Sequence, residues 1–192
     1  MRYFLLAITT TAALSCHPKV KEDKQTAAQP PAIVKDTSSS ISFFDSIAAK
    51  SALPVQQIKA HTTIDSFYYT ELYSEATFEG DTIYRLHNGA TGAIINYNDG
   101  RNCSKKLFLI FPAGATINSD FKTIETDCDR DYSGNYFYIH YKLLGDSGLE
   151  TTEYYIPPNK EEDDDGKVWE RIKYKISKSG QLDTLMIKTY HE

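Results

Sequence analysis

Val168-Trp169-Glu170-Arg171-Ile172-Lys173-Tyr174-Lys175-Ile176 reads as a strand with one dry side. Val168, Ile172, Tyr174 and Ile176 fall on one side of a two-residue period, Arg171, Lys173 and Lys175 on the other, and Glu170 alone breaks the apolar row. Such alternation belongs to a half-buried strand of an antiparallel sheet. The same texture recurs in both directions. Runs rich in Tyr, Ile and Thr span 67–78, 82–87, 91–97, 105–111, 135–144, 149–156, 168–177 and 182–190. Turn chemistry separates them: Glu79-Gly80-Asp81, Asn88-Gly89, Asn98-Asp99-Gly100, Ser133-Gly134, Asp146-Ser147-Gly148 and Ser179-Gly180. Leu107-Phe108-Leu109-Ile110-Phe111 is apolar on both faces, so it should be a central strand covered from both sides. No helix of βαβ length fits between the runs. The expected fold is all-β, an antiparallel meander of about eight strands that closes as a barrel or folds as a sandwich.

Ahead of this domain, placed at 60–192, the composition changes. From His17 to Ser40 the chain is Lys, Glu, Asp, Gln, Thr, Ala and Ser with three prolines, and only Val20, Ile33 and Val34 are large aliphatics. Such a segment buries too little surface to offset its ordering entropy, so 16–59 reads as a flexible tether. Within it one short helix is expected over 42–51, with Phe43, Phe44, Ile47 and Ala48 on one face, Ser40 or Ser42 as cap and Pro54 as its end.

The first sixteen residues carry Arg2, a twelve-residue apolar and small stretch from Tyr3 to Leu14, and the ending Ala13-Leu14-Ser15-Cys16 before an abrupt polar turn at His17-Pro18-Lys19. The apolar run is too short to span a bilayer, which needs about 20 residues; it has the build of a cleaved export signal. It resembles a bacterial lipoprotein signal peptide. The resemblance implies cleavage after Ser15, a lipid on Cys16 and, with His17 rather than Asp following, an outer-membrane address, periplasmic or surface-exposed. Lys21-Glu22-Asp23 is similar to the short tag that sends some Bacteroidota lipoproteins to the cell surface. Two or three acyl chains acting together give stable anchoring to the membrane.

In an oxidising compartment the two remaining thiols, Cys103 and Cys128, are most simply a disulfide. Zinc is not indicated, since the five histidines are scattered and no ligand spacing appears. The net charge of −5 argues against a nucleic-acid surface and against polybasic adsorption to lipid. Charge is also uneven. Residues 120–165 hold thirteen acids against four bases, with a run at Glu161–Asp165, whereas residues 166–192 hold six bases against three acids.

Three constellations invite chemistry. Gly145-Asp146-Ser147-Gly148 resembles the nucleophile loop of chymotrypsin-like proteases, but neither His61 nor His87 stands in the matching context, and a hairpin turn accounts for the four residues. Asp127, Asp129, Asp131, Ser133 and Gly134 resemble the first half of a calcium loop, with a polar hairpin loop as the other reading; His140 replaces the closing Glu. Tyr136, Tyr138 and His140 share one side of a strand and could stack on sugar rings or a protein partner, or pack across the sheet.

No catalytic set is evident, so the chain is not expected to be an enzyme. The expected function is an envelope lipoprotein whose β domain is a non-catalytic binding or structural module for a protein or glycan. A calcium-stabilised glycan-binding module is one alternative. Another is an inhibitor of a cationic hydrolase: Thr91-Gly92-Ala93, Tyr97, Lys105 and Lys106 are faintly similar to a motif of the small disulfide-bonded lipoproteins that block lysozyme.

Overall fold

The computed structural model describes residues 42–69, 75–129, 134–158, 160 and 166–190, all within one compact unit spanning Ser39–Glu192. Eight strands form two four-stranded antiparallel meanders. The first sheet runs β1 (Thr77–Arg85), β2 (Thr91–Asn98), β3 (Cys103–Phe111), β4 (Asp120–Cys128); the second runs β5 (Tyr136–Leu143), β6 (Gly148–Ile156), β7 (Lys167–Ile176), β8 (Leu182–Thr189). Of barrel and sandwich, the fold is the sandwich.

Residue parity explains how the layers stack. On β3, Leu107, Leu109 and Phe111 join Ala93, Ile95, Tyr97 and Phe78 in one core with Phe43, Ile47, Leu53, Ile58 and Ile64 of the N-terminal segment. Phe108 and Ile110 point the other way, into a second core with Ile94, Ile124, Leu149, Tyr174 and Ile176 that joins the two sheets. Leu107 to Phe111 are at most 1% exposed, as expected of a strand covered on both faces. The result is three layers: helices, first sheet, second sheet. Burying one such side chain contributes about 1.5–3 kcal/mol, so β3 anchors both cores at once.

The helical layer consists of α1 (Phe43–Ala48) and α2 (Val55–His61). Ser42 caps α1 by accepting the Asp45 N–H at 3.1 Å. Six residues make too short a helix to persist alone; packing of Phe43 and Ile47 against the sheet holds it. Pro54 does not end this helix, as expected, but opens the next, its carbonyl accepting the N–H of Ile58 at 3.2 Å. No helix among the described residues is long and apolar enough to cross a membrane.

Three strand boundaries differ from expectation, and they offset one another. Residues 66–69 form a 3₁₀ turn, so no strand begins at 67. Glu79-Gly80-Asp81 is not a turn but the bulged middle of β1. β4 has no counterpart among the expected strands: of its nine residues only Ile124 is buried, so its sequence reads as loop.

Candidate functional site

The candidate contact surface is the outer face of the second sheet, the face turned away from the first. On β5, Tyr141 and Leu143 pack toward the inter-sheet core, so alternation sends Tyr136, Tyr138, His140 and Lys142 outward. The three residues singled out from the sequence are therefore brought together in one file. Tyr136 and Tyr138 ring centroids are 5.9 Å apart, and Tyr138 and His140 are 5.2 Å apart. From β6, Tyr154 stands opposite Tyr138 and stacks on it at 4.9 Å with the rings 5° from parallel. Backbone contacts brace the file: the Tyr136 hydroxyl donates to the Cys128 carbonyl at 2.9 Å, and the Gly166 N–H donates to the Tyr138 hydroxyl at 3.2 Å. His140 is exposed while the tyrosines are half-buried.

The same face continues into β7 and β8. Arg171 lies opposite Thr152 and Lys188, Lys173 opposite Glu150 and Met186, and Lys175 opposite Gly148 and Asp183. Arg171, Lys173 and Lys175 thus point outward, as the alternation indicated. Val168 departs from its expected row, because a register shift at Glu153/Tyr154 pairs it with the outward Tyr154. β8 is an edge strand, and Leu185 and Ile187 are 65% and 59% exposed.

Recesses also lie elsewhere. Where the inner face of the first sheet turns from apolar to polar, Glu79, Asn96, Lys106 and Glu125 line a groove of ≈ 290 Å³ together with Asn98, Ser104 and Asp127. Lys106 pairs with Glu125 at 2.8 Å; this hydrogen bond, opposed by partial burial, holds the ammonium above its usual range. Between the sheets a smaller cavity of ≈ 100 Å³ holds Lys122, Glu153 and Glu170. Glu153 and Glu170 stand directly opposite each other on neighbouring strands. Burial, then the charge of Glu170, pushes the Glu153 carboxyl up, and Lys122 only partly counters them.

The remaining sequence motifs fall as follows. Cys103 and Cys128 form a disulfide between residues in register on β3 and β4. Asp127, one residue before the end of β4, lines the groove, and Asp129 follows the strand with its N–H donating to the Asn102 carbonyl at 2.7 Å; Asp131 and Ser133 lie outside the described residues, as do Cys16, the leader and Glu161–Asp165. Among the described residues no cluster of three or more His, Cys, Asp or Glu is arranged to hold a metal ion. Gly145-Asp146-Ser147-Gly148 is the β5–β6 hairpin turn, with Gly145 at φ +69°. His87 does reach this turn, but through the Asp146 carbonyl, 3.2 Å from its Nδ1, and not through Ser147. Thr91-Gly92-Ala93 lies within β2, with Ala93 fully buried and Gly92 against the Phe108 ring. Tyr97 is buried as well.

What sequence reading missed here is the contribution of Lys142, Glu150 and Lys188 to the outer face. Lys142 follows the alternation of β5, but which residues of the neighbouring strands join it depends on register, which no local pattern gives. Comparison with known proteins finds no family model, no curated protein and no solved structure that matches the chain.

Proposed function

We propose that this chain is an envelope lipoprotein, lipidated at Cys16, whose β-sandwich is a non-catalytic binding module for a glycan or protein of the envelope. The observation that carries the reading is the single file of Tyr136, Tyr138 and His140 on the outer face of the second sheet, buttressed by the stacked Tyr154. Aromatic groups with an apolar body and a polar tip suit a surface that must meet both water and a partner. The disulfide between Cys103 and Cys128 fits an oxidising compartment.

Two experiments test the two halves. Mass spectrometry of the mature protein should find Cys16 as an acylated N-terminus; an unprocessed start removes the anchor and the address. Envelope polymers retained on the immobilised protein should be lost from a Tyr136→Ala, His140→Ala variant. Equal recovery by both proteins removes the aromatic file as the contact surface.

A further inference from the structure

We propose that the outer face of the second sheet binds an acidic polysaccharide, a polymer of sugar rings carrying carboxylates. The inference rests on the reading of that face as the contact surface and adds the chemistry of the partner. The chain as a whole carries −5, yet among the described residues strand register gathers Lys142, Arg171, Lys173, Lys175 and Lys188 on this one face, against Glu150 and Asp183.

The internal neutralisation is poor. Glu150 is shared between Lys173 at 3.3 Å and Arg171 at 4.0 Å. Lys142, Lys175 and Lys188 have no carboxylate partner among the described residues; Lys188 rests over the Tyr190 ring at 4.7 Å. Arg171 and Lys188 stand directly opposite each other across β7 and β8, and like charges in that position destabilise a sheet. A merely solvated face has no use for such a pair. A ligand that brings negative charge does.

The aromatic file fixes the rest of the ligand. Tyr138, Tyr154 and Val168 form the cross-strand row next to the row of His140, Thr152 and Arg171. Alternate residues along a strand are about 7 Å apart, so a chain lying on the sheet meets ring surfaces first and cations one step later. Pyranose rings offer apolar faces to tyrosine, and their carboxylates pair with Lys and Arg. A layer of phosphatidylglycerol or phosphatidylserine headgroups offers negative charge but no rings. Single-stranded nucleic acid also brings rings and negative charge, and it enters the test below as the competing ligand.

The test uses the full chain and four probes: polygalacturonate, its fully methyl-esterified counterpart, vesicles containing a third anionic phospholipid, and single-stranded DNA. Polygalacturonate should bind, with affinity falling as salt is raised. Lys142→Gln, Lys175→Gln and Lys188→Gln together should weaken it at least tenfold, with the thermal unfolding midpoint close to that of the parent, since none of the three lysines makes an ion pair within 4 Å among the described residues. The esterified polymer should bind at least tenfold more weakly than the acid. Equal binding of both polymers overturns the charge inference and leaves the contact face standing. Binding of vesicles or DNA in preference to the polymer, or of no probe, overturns the proposal. Charge-dependent binding that survives Tyr136→Ala with His140→Ala places the failure in the aromatic reading instead.

Discussion

Asp99 follows β2 and is 8% exposed, and its Oδ1 accepts three backbone N–H groups, from Arg101 at 2.9 Å and from Asn102 and Cys103 at 3.0 Å. Burial alone would raise its pKa. The three donors and the Arg101 charge outweigh burial and hold the carboxyl below its ordinary value of 3.8. Its contribution is therefore complete above that pH and is lost as pH falls through the lower, folded-state value. Asp99→Ala should cost about 2 kcal/mol near neutral pH, the scale of hydrogen bonds to a charged group, and much less in strong acid; urea titrations at both pH values measure it. Glu153 has the opposite sign. Its folded-state value lies above 4.5, so the native state holds the proton more tightly and stability falls as pH rises through that window. Glu153→Gln should raise stability at pH 7 by roughly 0.5 kcal/mol, the scale of a like-charge pair across strands, and change little near pH 4, as thermal unfolding midpoints will show. Asp99 was legible in the sequence as part of an Asn-Asp-Gly turn, but its donors were not. Glu170 was visible as a break in an apolar row; that it faces Glu153 was not, because the pairing depends on register.

At the scale of single elements, α1 and β1 touch at Gly80. A side-chain carbon there would meet the Ile47 backbone, with its carbonyl oxygen at 2.7 Å. The close approach is what lets Ser51 accept the Gly80 N–H at 2.9 Å and lets Phe78 accept the Leu53 N–H at 2.8 Å, so the segment after α1 covers the edge of β1. Gly80→Ala should push α1 off the sheet and lower stability by about 2 kcal/mol, within the range for a backbone clash in a packed layer, with hydrogen exchange accelerated first in residues 43–53. This glycine also shows why β1 was misread. Flanked by Glu79 and Asp81 it looks like a turn, whereas it serves a neighbour distant in the chain. β4 was missed for a related reason: Asp120-Phe121-Lys122-Thr123-Ile124-Glu125-Thr126-Asp127-Cys128 lines a groove and a corner rather than a core, so its polarity hides its pairing. The strands after residue 135 read correctly because their Tyr-, Ile- and Thr-rich runs lie between clear turn signals. The aromatic file on β5 was legible through its two-residue spacing alone.

For the molecule as a whole, the bridge from Cys103 to Cys128 closes the β3–β4 hairpin at its open end, a sequence separation of 25 residues. The chain-entropy estimate for a loop of this size is about 3–4 kcal/mol. Cys103→Ser with Cys128→Ser should lose roughly that much in a denaturant titration, while reductant should then have no further effect on the variant. The order of layers has its own mechanical meaning. The described chain enters at Ser42, in the helical layer, and the aromatic and basic face lies on the far side of both sheets. Tension arriving through the N-terminus falls first on the six residues of α1, which grip the sheet chiefly by Phe43 and Ile47. That short helix can peel away like a tear strip and take up the load before any strand of the second sheet feels it, so a pull applied at Ser42 spares the far face.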